Sequence, residues 1–89
     1  DCNAFQMFVR TLTGKFITLV ILEDDSVLDM KVQVQEKEGI PPEQQRLIHE
    51  GRELDDDVLV THCNIRQETT VHLVLNLFGI FITNYLYIE

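Results

Sequence analysis

Positive charge is scarce in this chain. Its 7 Lys and Arg stand against 15 Asp and Glu in 89 residues, a formal net charge of −8. That balance excludes nucleic acid and an anionic membrane surface as expected partners, since both are bound through clustered cations. Cysteine is scarcer still. Cys2 and Cys63 are the only 2, too few for a disulfide framework, so a reducing cytoplasmic or nuclear setting is expected. The first residues lack a basic start followed by an apolar run, so no signal peptide is read. With Asp1 rather than Met in first place, the expectation is a processed product or a piece of a longer protein. The longest apolar run is the last one, residues 78–88, and it falls well short of the ~20 residues a membrane span needs.

Catalytic chemistry is equally thin. His62 and Cys63 are neighbours, and adjacent residues in a short turn seldom form a nucleophile–base pair. His49 and His62 fall on segments read as exposed and show no metal-ligand spacing. The acidic runs Glu23-Asp24-Asp25 and Asp55-Asp56-Asp57 read as solvated loops and caps. No catalytic residue, metal ligand or cofactor is assigned, and the chain is not expected to be an enzyme.

What is present is a small core with clear periodicity. Hydrophobic residues make up 45% of the chain, enough for one domain of this size. Over residues 6–11, Met7 and Val9 alternate with Gln6 and Arg10. Thr13-Gly14 signals a turn. Residues 16–22 form a second strand with Ile17, Leu19 and Ile21 inward, completing a hairpin. Its outward side, Phe16, Val20 and Leu22, is unusually apolar. Ser26 and Asp29 have capping-box spacing. Val27, Met30 and Val34 then recur at helical intervals, predicting an amphipathic helix that ends near Glu38. Gly39 sits where a helix C-terminus favours positive φ, and Pro41-Pro42 prevent the helix from resuming. Residues 44–49 predict a third strand with Leu47 inward and Ile48 outward. Glu50-Gly51 is a turn, and residues 52–54 a short strand. Residues 55–57 are read as capping a brief helical turn that runs through Cys63. Residues 70–77 alternate strictly, with Val71, Leu73 and Leu75 inward. One helix against one mixed sheet is an α+β domain.

Three separated motifs carry a resemblance. Lys37-Glu38-Gly39-Ile40-Pro41-Pro42-Glu43-Gln44-Gln45-Arg46-Leu47-Ile48, Phe8-Val9-Arg10-Thr11-Leu12-Thr13-Gly14-Lys15 and Val71-His72-Leu73-Val74-Leu75 closely resemble the ubiquitin family, in the family's order. The resemblance implies the β-grasp fold, a mixed sheet packed on one α-helix. It implies a ubiquitin-like domain over residues 5–77, an N-terminal extension of residues 1–4 and an apolar C-terminal extension of residues 78–89. It implies a protein-binding patch of Leu12, Ile48 and Val74 with His72, assisted by Arg46 and Gly51 and rimmed by Arg10, Arg46 and Arg52. It also implies that Lys31 is partly buried and pairs with an acidic residue, most plausibly Asp56.

The chain departs from the family at its end. A ubiquitin-type modifier finishes in a flexible arm with two glycines, because its last residue is adenylated and carried as a thioester through narrow clefts. Here the arm reads Leu75-Asn76-Leu77-Phe78-Gly79-Ile80, with Asn76 and Phe78 in place of arginines and Ile80 in place of the second glycine. Lys15, Lys31 and Lys37 are the conjugation-type lysines. Arg52 and Gln67 stand at two positions where the family carries its best-known acceptor lysines, and a guanidinium cannot serve as the amine nucleophile. The expectation is therefore a non-covalent interaction module read by ubiquitin-binding domains, proteasomal subunits or ubiquitin-pathway enzymes. The alternative is a covalent modifier matured by cleavage after Gly79, or a diverged copy that self-associates through its tail. Three roles are open to residues 78–88: covering Phe16, Val20 and Leu22, contacting a partner or a second copy by weak strand pairing, or none.

Overall fold

The computed structural model describes residues 4–75. Within them five strands, one helix and two short 3-10 turns follow in order: β1 (Ala4–Arg10), β2 (Phe16–Leu22), α1 (Val27–Glu38), a 3-10 turn (Pro42–Gln44), β3 (Gln45–His49), β4 (Arg52–Glu53), a second 3-10 turn (Val60–Cys63) and β5 (Thr70–Leu75). The sheet order is β2-β1-β5-β3-β4. β1 pairs with β5 in parallel and every other pairing is antiparallel. This mixed five-stranded sheet holding one helix is the β-grasp arrangement.

The helix forms where its capping residues place it. The Ser26 hydroxyl accepts from the Asp29 amide, and the Asp29 carboxylate accepts from the Ser26 amide, so two otherwise orphaned N–H groups are satisfied. The amides of Val27 and Leu28 donate to the carbonyls of Val58 and Asp56, which ties the helix start to the loop before the second 3-10 turn. Gly39 takes φ 79° and its amide donates to the Gln35 carbonyl. That left-handed geometry is accessible to glycine without a Cβ clash. Val27, Met30 and Val34 meet the inward residues of the sheet, Met7, Val9, Leu19, Ile21, Leu47, Val71 and Leu73, in one core.

Several boundaries differ from the sequence reading. β1 reaches back to Ala4, which pairs with Leu22 and so is the first residue of the strand rather than part of an extension. β3 starts one residue later than expected because Pro42 opens a 3-10 turn, closed by the Gln44 amide on the Pro41 carbonyl. Leu54 leaves β4 and turns into the core, its amide donating to the Leu47 carbonyl. The second 3-10 turn starts at Val60 after Leu59, without a side-chain cap. Asp55, Asp56 and Asp57 therefore do not cap it. They form the preceding turn, where the Val58 amide donates to the Asp55 carbonyl. β5 is described as far as Leu75. Its expected continuation through Asn76 and Leu77, the tail, Gly79 and Cys2 lie outside the described residues.

Candidate interaction face

α1 covers one side of the sheet and leaves the other side open. The strand alternation puts Arg46 and Ile48 of β3, and His72 and Val74 of β5, on that open side. Register then sets Ile48 directly opposite His72 and Arg46 directly opposite Val74. Ile48 and Val74 are diagonal neighbours, both half-buried, while His72 is exposed. Such cross-strand neighbours lie close enough for side-chain contact. Leu12 is 75% exposed on the turn between β1 and β2, outside the strand register. Gly51, with φ 79°, completes the β3–β4 turn and faces open space. The expected patch residues thus occupy one face of the sheet and its adjoining turns, with the Ile48–His72–Val74–Arg46 quartet fixed by register.

The same register extends the face sideways. Phe16 opposes Arg10, Arg10 opposes His72, and His72 opposes Ile48. One row of outward side chains therefore crosses β2, β1, β5 and β3. The Arg10 guanidinium sits 5.7 Å from the centre of the Phe16 ring, in reach of a cation–π contact. Arg10 and His72 form a polar stripe within the row. On one side lies the Ile48–Val74 quartet. On the other lies the exposed apolar side of β2. The role expected of Arg10 as a rim residue is thus shared with a second apolar surface.

Arg46 is held by an exposed ion pair to Glu53, N to O 3.0 Å. The Arg46 hydrogen bond holds the Glu53 carboxyl below its ordinary value, while the same bond raises the guanidinium. Arg52 on β4 is exposed. Of the lysines, Lys31 has a side chain only 7% exposed and bonded to Asp56 at 2.6 Å, the pairing that the resemblance implied. Lys15 is open and pairs with Glu38 at 3.0 Å, and Lys37 is exposed. Folded Lys31 is therefore enclosed, while Lys15 and Lys37 are open to solvent.

His49 departs from expectation. Its side chain is only 12% exposed, because it shares the inward side of β3 with Gln45 and Leu47. Its Nε2 has no hydrogen-bond partner and lies 3.8 Å from a Glu50 carboxylate oxygen. His49, His62, Cys63, Glu50 and Asp55 line one concavity, but among the described residues no group of three or more His, Cys, Asp or Glu is placed to hold a metal ion. Cys63 is half-buried against the core, and burial, followed by the charge of Asp55, pushes its thiol up. A raised thiol is a weak nucleophile.

Sequence reasoning missed two side chains that finish the sheet. Gln33 of α1 uses its amide group both ways on Val20: its nitrogen donates to the Val20 carbonyl at 2.7 Å and its oxygen accepts from the Val20 amide at 3.3 Å. The Asp25 carboxylate accepts from the Leu22 amide at 3.0 Å, and the Asp25 amide donates to the Leu22 carbonyl. Together they occupy the Val20–Leu22 half of the free edge of β2. Asp25 has a local signal, a polar residue three positions past a strand end. Gln33 has none, because its partner is thirteen residues away on another element. Gln45 was also missed. It is buried, and its amide nitrogen donates to the carbonyls of Lys31 and Ile40.

The described residues form a β-grasp domain whose open sheet face carries an outward Ile-His-Val-Arg quartet. Comparison with known proteins gives its family. The sequence pattern of the ubiquitin family matches residues 7–78. NEDD8-like protein RUB1 of Saccharomyces cerevisiae is 48% identical over 71 residues, covering 80% of this chain and 92% of the yeast protein. Ubiquitin-like protein NEDD8 of Dictyostelium discoideum is 46% identical over 71 residues, with 80% and 92% covered. AN1-type zinc finger protein 4 of Mus musculus is 36% identical over 77 residues, which are 86% of this chain but 10% of the mouse protein. The chain belongs to the ubiquitin family.

Proposed function

We propose that this chain is a recognition tag of the ubiquitin family, read through the open sheet face around Ile48 by ubiquitin-pathway proteins of the cytoplasm or nucleus. The observation that carries the reading is the register that sets Ile48 beside His72 and Val74 beside Arg46 on the side of the sheet opposite α1. An apolar centre with a polar rim is the anatomy of an interface. Binding would bury Ile48, Val74 and Leu12, with His72, Gly51 and Arg46 supplying polar contacts. A patch of this size is smaller than a standard interface, so affinity is modest.

Of the two ways such a tag can act, the comparisons support covalent attachment better than the binding-only module first expected. The NEDD8-like and ubiquitin-like relatives are matched over about nine-tenths of their own length. They are this domain and little else, which is the form of a modifier. Attachment requires hydrolysis of the Gly79–Ile80 bond, which frees a Gly79 carboxylate for adenylation and transfer to a thiol. The binding-only reading keeps one specific support. Asn76, Phe78 and Ile80 replace the arm residues of a modifier, and a side chain at the reacting end obstructs the close backbone approach that glycine permits.

The deciding experiment treats the full chain with a ubiquitin-family processing protease, then with activating enzyme and ATP, and reads intact mass. Loss of residues 80–89 followed by a thioester establishes the modifier. An uncut chain that never charges establishes the binding-only module.

A further inference from the structure

The outward side of β2 carries Phe16, Val20 and Leu22 at 57%, 60% and 46% exposure. They share one face of the strand, with exposed Thr18 between Phe16 and Val20, and form a strip about 20 Å long at ~3.3 Å per residue. Arg10 and His72 stand between this strip and the apolar pair Ile48 and Val74, and the recognition reading gives the strip no role. Contiguous exposed apolar surface marks a place where another segment or molecule docks.

We propose that residues 78–88 of this chain fold back and cover the Phe16–Val20–Leu22 strip in cis. Four observations favour this occupant. The first is composition: Phe78, Ile80, Phe81, Ile82, Leu86 and Ile88 lie in a segment with no charged residue before Glu89, matching an uncharged strip in a chain otherwise rich in charge. The second is position. β5 runs parallel to β1, with His72 level with Arg10 and hence with Phe16. The chain therefore passes Leu75 at the end of the sheet where Phe16 stands. The third is reach. From Leu75 to Ile88 an extended chain spans about 43 Å. The way back to Phe16 crosses two strand spacings, about 10 Å, and the strip itself needs about 20 Å more. The fourth concerns the edge. A segment could otherwise add to β2 as a further strand, but along the Val20–Leu22 half of that edge the backbone groups are taken by Gln33 and Asp25. The open face of β2 is left as the place to bury apolar side chains.

A second copy is the competing occupant. It is disfavoured by a net charge of −8 on each chain, which opposes association, whereas a tethered segment acts at a high effective concentration. The proposal concerns the uncut chain and stands whichever mode of action the charging experiment supports. Cleavage after Gly79 would release the segment and uncover the strip.

The test is limited chymotrypsin digestion of the full chain, followed by intact mass, alongside a Val20→Glu/Leu22→Glu variant. Both residues are exposed, and retained far-ultraviolet circular dichroism confirms that the variant folds. The expected result is slow cleavage at Phe81 and Tyr85 in the parent, independent of protein concentration, and cleavage at least tenfold faster in the variant. Equal rates in the two chains, fast or slow, overturn the proposal. Protection that fades on dilution also overturns it and assigns the strip to a second copy.

Discussion

Lys31 shows how one residue's setting outweighs its type. A lysine is ordinarily a solvated surface group, yet here α1 directs it inward and its side chain is 7% exposed. Asp56, itself half-exposed, supplies the counter-charge at 2.6 Å. Asp56→Asn leaves that ammonium unpaired and is expected to destabilise the fold by about 2 kcal/mol, less than the ~3–5 kcal/mol of a fully buried pair because water reaches one partner. Urea unfolding measures this, and Lys31→Met added to Asp56→Asn is expected to recover most of the loss. Cys63 makes the opposite case, a reactive residue type held in its less reactive form. Burial favours its neutral thiol, and only the thiolate reacts. Iodoacetamide at pH 8 is expected to modify Cys63 about fivefold or more slowly in the folded chain than in urea. Peptide mass mapping at successive times gives both rates, and equal rates would sink the assignment.

At the scale of elements, each piece is held by a partner it cannot supply itself. α1 contains Val27, Val32 and Val34, poor helix formers that lose rotamer freedom in a helix, so its capping box and its packing decide that it forms. Ser26→Ala removes the hydroxyl that accepts from Asp29 and is expected to cost about 1 kcal/mol in a thermal or urea melt. β2 is an edge strand, and edges invite pairing with other chains. Gln33 occupies that edge at Val20 from the helix. Gln33→Ala is expected to speed hydrogen exchange at the Val20 amide without loss of helix content, with backbone-resolved exchange as the measurement. Unchanged protection at Val20 would show that the Gln33 bonds contribute little.

For the whole molecule, the sheet is a boundary between two chemistries. Its inner side is a closed core, and its outer side is a surface on which Ile48, His72, Val74 and Arg46 meet only because β3 and β5 are neighbours. Ile48→Ala is expected to abolish capture by immobilised ubiquitin-binding domains while leaving the melting curve nearly unchanged, since Ile48 is half-buried rather than core. A variant that binds as well as the parent removes Ile48 from the site. His49, one position along, points inward by the same alternation, which is why adjacent residues of one strand differ so sharply in role.

Much of this was legible along the chain. Period-two alternation marked β1, β2 and β5, the i, i+3, i+7 apolar spacing marked α1, and Ser26-Asp29 and Gly39 marked its ends, because each of these signals lies within a few residues of what it determines. The inward and outward sides of β1, β2 and β5, and of β3 apart from His49, followed for the same reason, and with them Ile48, His72 and Val74 as outward residues. What the sequence could not carry is adjacency. The order β2-β1-β5-β3-β4, the row from Phe16 through Arg10 and His72 to Ile48 and the Gln33 bonds to Val20 all depend on elements far apart in the chain. Acidic residues 55–57 looked like a helix cap because local spacing permits it. The fold instead spends one of them on Lys31, twenty-five residues away, and only packing brings that partner within reach.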